Sequence, residues 1–77
     1  MDIKIAALET RNGFLVKTTY GNKKGCDRKH IEWMLNGIID GYITGEKAHR
    51  WLGWAQAMIC VFDSAELEDL KNVNFEA

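Results

Sequence analysis

The sequence predicts an α+β fold in which an N-terminal β-hairpin precedes three helices, in the order ββααα. Two short runs rich in apolar and β-branched residues, at 3–8 and 14–20, flank the dipeptide Asn12-Gly13. Asn-Gly adopts the positive φ angles that a tight hairpin turn requires, so we interpret the two runs as antiparallel strands. Beyond residue 26, apolar residues recur every three or four positions, which indicates amphipathic helices.

The first predicted helix begins at Asp27 and ends near Asp40. Asp27 is a suitable N-cap because its carboxylate accepts hydrogen bonds from the unpaired backbone N–H groups of the first turn. Gly41 is expected to end the helix, since glycine adopts the left-handed conformation at little cost. The stripe expected to face the core consists of Ile31, Met34, Leu35, Ile38 and Tyr42.

The second predicted helix, 44–62, is expected to form the centre of the domain. Thr44 is its predicted N-cap, and after Arg50 its only strongly polar side chain is Gln56. A helix that is apolar on almost every side is buried on more than one side, within the domain or at an oligomer seam. Its predicted core stripe is Ala48, Trp51, Leu52, Ala55, Ile59 and Phe62, widened by Trp54, Met58 and Val61.

Small residues at fourfold spacing predict a close crossing of these two helices. They are Gly37 and Gly41 on the first helix, and Gly53 and Ala57 on the second.

The third predicted helix begins with a capping box formed by Asp63 and Glu66. Its apolar edge is narrow, and it is expected to end at Asn72 or Asn74, with residues 75–77 frayed. The edge consists of Leu67, Leu70 and Val73.

Composition predicts a single domain, 1–77. The chain is 47% hydrophobic and 27% charged and has no proline, which is typical of a globular domain. A formal net charge of -1 argues against a general nucleic-acid-binding surface and against an acidic DNA mimic. The N-terminus lacks the pattern of a signal peptide and no stretch is apolar enough to span a membrane, so we expect a cytoplasmic protein with reduced cysteines at 26 and 60.

A basic cluster lies before and within the first predicted helix. Unpaired N–H groups at a helix N-terminus with cations nearby can bind an anionic ligand or nucleic acid. Such a charge cluster more often belongs to an ordinary solvated loop that binds nothing. The lysine and hydroxyl that end a P-loop are missing, so we reject that motif. The candidate anion-binding residues are Lys23, Lys24, Arg28 and Lys29, followed by His30.

Tryptophans are the candidate protein-interface residues. Trp33 lies opposite the core stripe of the first helix, where it is either an exposed interface anchor or, as we expect, covered by the hairpin. Trp51 and Trp54 are expected to make core or oligomer contacts, with Arg50 beside them. We therefore expect a homo-oligomer.

Few residues of the chain are suited to catalysis. His30 and His49 are the only histidines, and no serine or cysteine has a base at a diagnostic spacing. A metal site that uses Cys26 and Cys60 with these histidines has poor geometry, because Cys60 lies three turns from His49 on an apolar helix. We expect no enzyme activity, no metal and no cofactor.

The segment 46–56, EKAHRWLGWAQ, resembles a group of small uncharacterised proteins from tailed bacteriophages and prophages. The shared pattern is Glu-Lys-Ala, Arg-Trp-Leu-Gly, an aromatic residue and a glutamine, followed by an apolar stretch and a short acidic helix. The likeness covers about residues 31–74, and Ala57 stands where those proteins often have glycine. The resemblance implies a phage origin and an accessory role, and supplies no activity. The matching positions are Glu46, Lys47, Ala48, Arg50, Trp51, Leu52, Gly53, Trp54 and Gln56.

These observations favour a small phage-encoded protein that binds and modulates a host component, such as a defence or nucleic-acid-processing system. One alternative is a DNA-binding regulator, because two helices joined by a short turn resemble a helix-turn-helix motif. The other is an oligomer that sequesters an anionic nucleotide through the basic cluster.

Overall fold

The protein is all-helical over the residues that the structure describes. The structure is a computed structural model that describes residues 1–15, 27–62 and 65–77. It contains the helices α1 (Ile3–Gly13), α2 (Arg28–Ile39), α3 (Gly45–Val61) and α4 (Leu67–Glu76). No strand occurs within those three ranges, so the predicted α+β class with its N-terminal hairpin is wrong.

The predicted first strand, 3–8, lies within α1. Asp2 caps this helix, because its Oδ1 accepts hydrogen bonds from the backbone N–H groups of Lys4 and Ile5 at 3.0 and 3.3 Å. The buried residues Ala6, Ala7 and Thr10 have helical spacing. The strand prediction rested on the isoleucines and on Asn12-Gly13, but a short apolar run is compatible with a strand or a helix. Packing of the face that carries Ala6 and Ala7 against the other helices favours the helix.

Only the start of the predicted second strand is described. Phe14 is the C-cap of α1 and its backbone N–H donates to the Thr10 carbonyl at 3.1 Å. Leu15 is buried in the core. Positions 16–20 lie outside the described residues.

The predicted first helix is confirmed as α2. The Asp27 carboxylate accepts a hydrogen bond from the His30 backbone N–H at 3.1 Å. Gly41 has a φ of 83°, and the N–H groups of Gly41 and Tyr42 donate to the carbonyls of Ile38 and Gly37 at 3.1 and 3.0 Å. This pairing is a Schellman motif, which satisfies carbonyls at the helix end.

Four of the five predicted core residues of α2 are buried, and the exception is Tyr42, which is 84% exposed. Tyr42 follows Gly41, where the chain leaves the helix, so the helical period no longer decides which way its side chain points. The buried residues are Ile31, Met34, Leu35 and Ile38.

The predicted boundaries of α3 are confirmed. Within this single chain the helix is buried on one side rather than several, and burial of other sides at an oligomer seam stays a prediction. The residues buried on α3 all lie on one face, namely Ala48, Leu52, Ala55, Gln56 and Ile59. Trp51, Met58 and Phe62 are partly buried, whereas Trp54 and Val61 are exposed. Thr44 precedes the helix as N-cap without a side-chain hydrogen bond to it.

Helix α1 packs against all three other helices. Helix α3 packs against α1 and α2, and its contact with α4 includes the hydrogen bonds between Gln56 and Asn74. The buried face of α1 carries Ala6 and Ala7, and small side chains let neighbouring helices approach closely.

The predicted close crossing through the small residues of α2 and α3 is wrong. Gly37 is approached most closely by Ile43 of the connection, with a Cβ atom 3.1 Å from Ile43 Cγ1. Gly41 is approached by the Lys4 side chain. At Gly53, a Cβ atom would have no neighbour within 4 Å.

Helix α4 begins later and ends later than predicted. Its capping box is formed by Glu66 and Asp69, with the Glu66 N–H donating to Asp69 Oδ2 at 3.1 Å. Asp63, the predicted cap, lies outside the described residues. The expected fraying at 75–77 is wrong, since the helix continues to Glu76 and the Ala77 carbonyl accepts a hydrogen bond from the Asp2 N–H at 2.9 Å.

A buried polar network joins α1, α3 and α4. Gln56 Nε2 donates to Thr10 Oγ1 at 3.0 Å and to Asn74 Oδ1 at 2.8 Å, and Asn74 Nδ2 donates back to Gln56 Oε1 at 3.0 Å. Thr10 Oγ1 donates to the Ala6 carbonyl at 2.7 Å. Among the described residues, no buried side-chain nitrogen or oxygen lacks a hydrogen bond.

We expect Gln56→Ala to lower the free energy of unfolding by about 2–3 kcal/mol, because it removes the donor to Thr10 Oγ1 and both hydrogen bonds to the Asn74 amide. Urea unfolding followed by circular dichroism measures the change. Asn72→Ala, at an exposed position of α4, is the matched control and should change it by less than about 0.5 kcal/mol. A Gln56→Ala/Asn74→Ala double variant whose effects simply add would show that the two amides are not coupled.

Gly41→Ala should destabilise the protein by about 1–2 kcal/mol, because an L residue is strained at a φ of 83°. Gly13→Ala is the control, since Gly13 is helical and a Cβ atom there meets nothing within 4 Å. We expect that variant to be stabilised by about 0.4–1 kcal/mol. Equal thermal midpoints for the two variants would contradict the role of the left-handed position.

Candidate functional site

An open groove with aromatic walls lies between the C-terminal end of α2 and the first half of α3. The ring centroids of Trp33 and Trp51 are 5.3 Å apart, and the His30 ring centroid lies 5.4 Å from that of Trp33. The cavity has a volume of about 320 Å³. We call it the aromatic groove, and its lining residues are Trp33, Asn36, Gly37, Asp40, Tyr42, Ile43 and Trp51.

The fold builds this groove from the short connection between the two helices. The carbonyl of Gly37 accepts hydrogen bonds from the N–H groups of both Tyr42 and Ile43, at 3.0 and 3.1 Å. Ile43 is thereby held against Gly37, where a Cβ atom would lie only 3.1 Å from Ile43 Cγ1 and 3.8 Å from the Trp51 ring. Gly37 therefore lets Ile43 and Trp51 form the floor of the groove.

The aromatic walls are exposed. Trp33 is 59% exposed and Tyr42 is 84% exposed. The expectation that Trp33 is covered is wrong for the described part of the chain, because α1 packs on the opposite face of α2. Exposed tryptophan and tyrosine side chains in one groove are typical anchors of protein interfaces.

Charges of both signs surround the groove. Lys47 Nζ lies 5.1 Å above the Trp51 ring in a cation–π contact. Arg11 Nη1 donates to Asn36 Oδ1 at 2.7 Å, which also ties α1 to α2. Asp40 adds a carboxylate at the end of α2. This mixture does not select a strongly anionic or cationic small ligand.

Of the four predicted interface residues, the structure brings two together. Trp33 and Trp51 share the aromatic groove, whereas Arg50 and Trp54 are exposed on α3 and do not line it. The groove residues that the sequence analysis missed are Asp40, Tyr42 and Ile43, besides Asn36 and Gly37. These groove residues could have been predicted from the short connection at 41–43, which brings the end of α2 close to Trp51.

The predicted basic cluster is described only in part. Lys23 and Lys24 lie outside the described residues, while Arg28 and Lys29 lie in the first turn of α2. They line a cavity together with the carboxylates of Asp27 and Glu32. Because Asp27 already caps this helix N-terminus, an anion there has to compete with an internal carboxylate. Anion binding stays a prediction.

Within the described ranges, no group of three or more His, Cys, Asp and Glu side chains is arranged to hold a metal ion. The helices over those same ranges include none whose length and apolar character suffice to cross a bilayer.

Comparison of the chain with protein-family models, with curated proteins and with solved structures gave no match.

Cys60 is a free thiol in a second, smaller groove between α3 and α4. Burial raises its pKa above the ordinary value, and the nearby carboxylates of Glu66 and Asp69 raise it further. A raised thiol pKa means that folding favours the neutral form. The contribution of Cys60 to stability is therefore lost as pH rises above the pKa of the unfolded chain, about 8.5.

In a Cys26→Ser chain, we expect iodoacetamide to alkylate Cys60 more slowly in the folded state than in the urea-unfolded state at the same pH. The pH midpoint, at which the alkylation rate reaches half its maximum, should be higher in the folded state. Glu66→Gln keeps a hydrogen-bonding side chain at the cap and should lower that midpoint, because it removes a repelling charge. Glu68→Gln is the control, since Glu68 pairs with Lys71 at 3.5 Å and does not act on Cys60. A folded-state midpoint at or below the unfolded one would contradict this assignment.

Proposed function

We propose that the protein is a small, non-enzymatic, phage-encoded accessory protein that binds a host protein through the aromatic groove and modulates its activity. The observation that carries the proposal is the exposure of Trp33 and Tyr42 beside Trp51 in one groove. Tryptophan and tyrosine supply much of the binding energy in protein interfaces, so their joint exposure in a small domain supports a binding role.

The groove is preorganised, which supports a protein partner. The Trp33 ring is flanked by His30 and Trp51, and Trp51 is in turn held by Lys47. Aromatic side chains that are already ordered lose little conformational freedom on binding. Trp33 and Tyr42 also project far enough into solvent to enter pockets on a partner surface.

The phage assignment rests on the resemblance of segment 46–56. That segment lies entirely within α3, and its Arg-Trp-Leu-Gly pattern provides both a groove residue, Trp51, and a core residue, Leu52. A host defence or nucleic-acid-processing component is the class of target that fits an accessory phage protein. The protein then acts in the cytoplasm of the infected or lysogenic bacterium.

Trp33→Ala should abolish capture of the host partner, with an affinity loss of about 30-fold or more, because a tryptophan anchor contributes about 2 kcal/mol or more. The measurement is quantitative mass spectrometry of proteins recovered from host lysate at native expression. Trp54→Ala is the matched control, since Trp54 is 46% exposed on α3 and outside the groove.

Circular dichroism of both variants should show the helix content of the unaltered chain, which checks that they fold. Recovery of the bait alone, or a partner retained equally by Trp33→Ala and the unaltered chain, would contradict the proposal. Retarded mobility of random duplex DNA that weakens steeply with salt would instead support the DNA-binding alternative.

A further inference from the structure

We infer that α4 is a detachable latch, which undocks from α1 and α3 as one unit while α1, α2 and α3 stay folded. Undocking separates the walls of the second, smaller groove, which Gln56, Cys60 and Asn74 line together. No residue of α4 lines the aromatic groove, so the inference is independent of the proposed function.

Little apolar surface anchors α4. Leu70 is its one buried residue, whereas α2 buries four residues and α3 buries five. The other large apolar side chains of α4 include Leu67 and Phe75, which are 65% and 90% exposed. Few buried apolar contacts are characteristic of a segment that opens at a lower free energy than the whole domain.

The core of the other three helices is continuous without α4. Over the described residues, the main cluster of buried apolar side chains comes from α1, α2, α3 and Leu15, and Leu70 lies outside it. The C-terminal end of α4 reaches this cluster through the partly buried residues Val73 and Ala77. Because α1, α2 and α3 also pack against one another in every pair, they keep their mutual contacts when α4 leaves.

Hydrogen bonds fix the docked position of α4. The Gln56 and Asn74 amides bond reciprocally at 2.8 and 3.0 Å. At the end of the helix, the Asp2 N–H donates to the Ala77 carbonyl at 2.9 Å. These groups bond to water once α4 leaves, so each bond adds only a modest net free energy to docking. Docking is therefore specific in its orientation and reversible.

Undocking and melting of α4 coincide. The helix has 10 residues, and an isolated helix of that length is marginal in water. Its hydrogen-bonded backbone amides therefore lose their protection together when the latch opens. Hydrogen exchange in α4 is thus a direct measure of latch opening.

The first test is native-state hydrogen exchange of the full chain, read residue by residue by NMR and corrected for the exchange rate of an unfolded peptide. We expect amides 71–76 of α4 to open about 10-fold or more as often as the buried segment 31–38 of α2. Added urea should accelerate exchange steeply in 31–38 and only slightly in α4, because latch opening exposes less surface than global unfolding.

Equal opening and equal urea dependence in the two segments would overturn the inference. Protection that declines residue by residue toward Glu76 would also overturn it, because that gradient indicates fraying from the end rather than opening as one unit.

Matched variants separate latch opening from unfolding of the domain. Ile38→Val leaves a small cavity beside fully buried α2, which stays folded while the latch is open. It should therefore accelerate exchange in 31–38 by about 2- to 12-fold and leave exchange in α4 unchanged. Asn74→Ala removes both amide bonds to Gln56 and should accelerate exchange in α4 on the order of 10-fold.

Circular dichroism checks that both variants keep their helix content. Equal acceleration of both segments by Ile38→Val would show that α4 opens only with the whole domain, which rules out a latch. Unchanged exchange of α4 in Asn74→Ala would show that the amide bonds do not hold it, which contradicts the proposed docking.

Discussion

The reciprocal hydrogen bonds between the Gln56 and Asn74 amides are the interaction on which the arrangement of the helices depends. The Gln56 amide also bonds to Thr10, so one buried side chain links α1, α3 and α4. Helix α4 buries only Leu70 fully, and so small an apolar face specifies orientation weakly. A satisfied polar network specifies it strongly, because any other docking would leave buried amide groups unpaired.

The central place of α1 explains why the protein exposes so much aromatic surface. Helix α1 packs against α2, α3 and α4 through a face of small side chains. Each of α2 and α3 is therefore covered mainly from one side, and the opposite sides carry Trp33 and Trp54 into solvent. Surface aromatic residues are thus a consequence of the architecture, and Trp33 belongs to the groove proposed for binding.

The sequence alone determined α2, the boundaries of α3 and their connection. Asp27 and Gly41 mark the two ends of α2 through local backbone chemistry, and Thr44 takes the N-cap position of α3 without a side-chain hydrogen bond. The core stripe of α2 followed from helical spacing. Only the tertiary structure decided that segment 3–8 is helical, that Gln56 is buried and that Trp33 is exposed. A short apolar run fits a strand or a helix equally well, and burial of one side of a helix depends on which neighbour packs there.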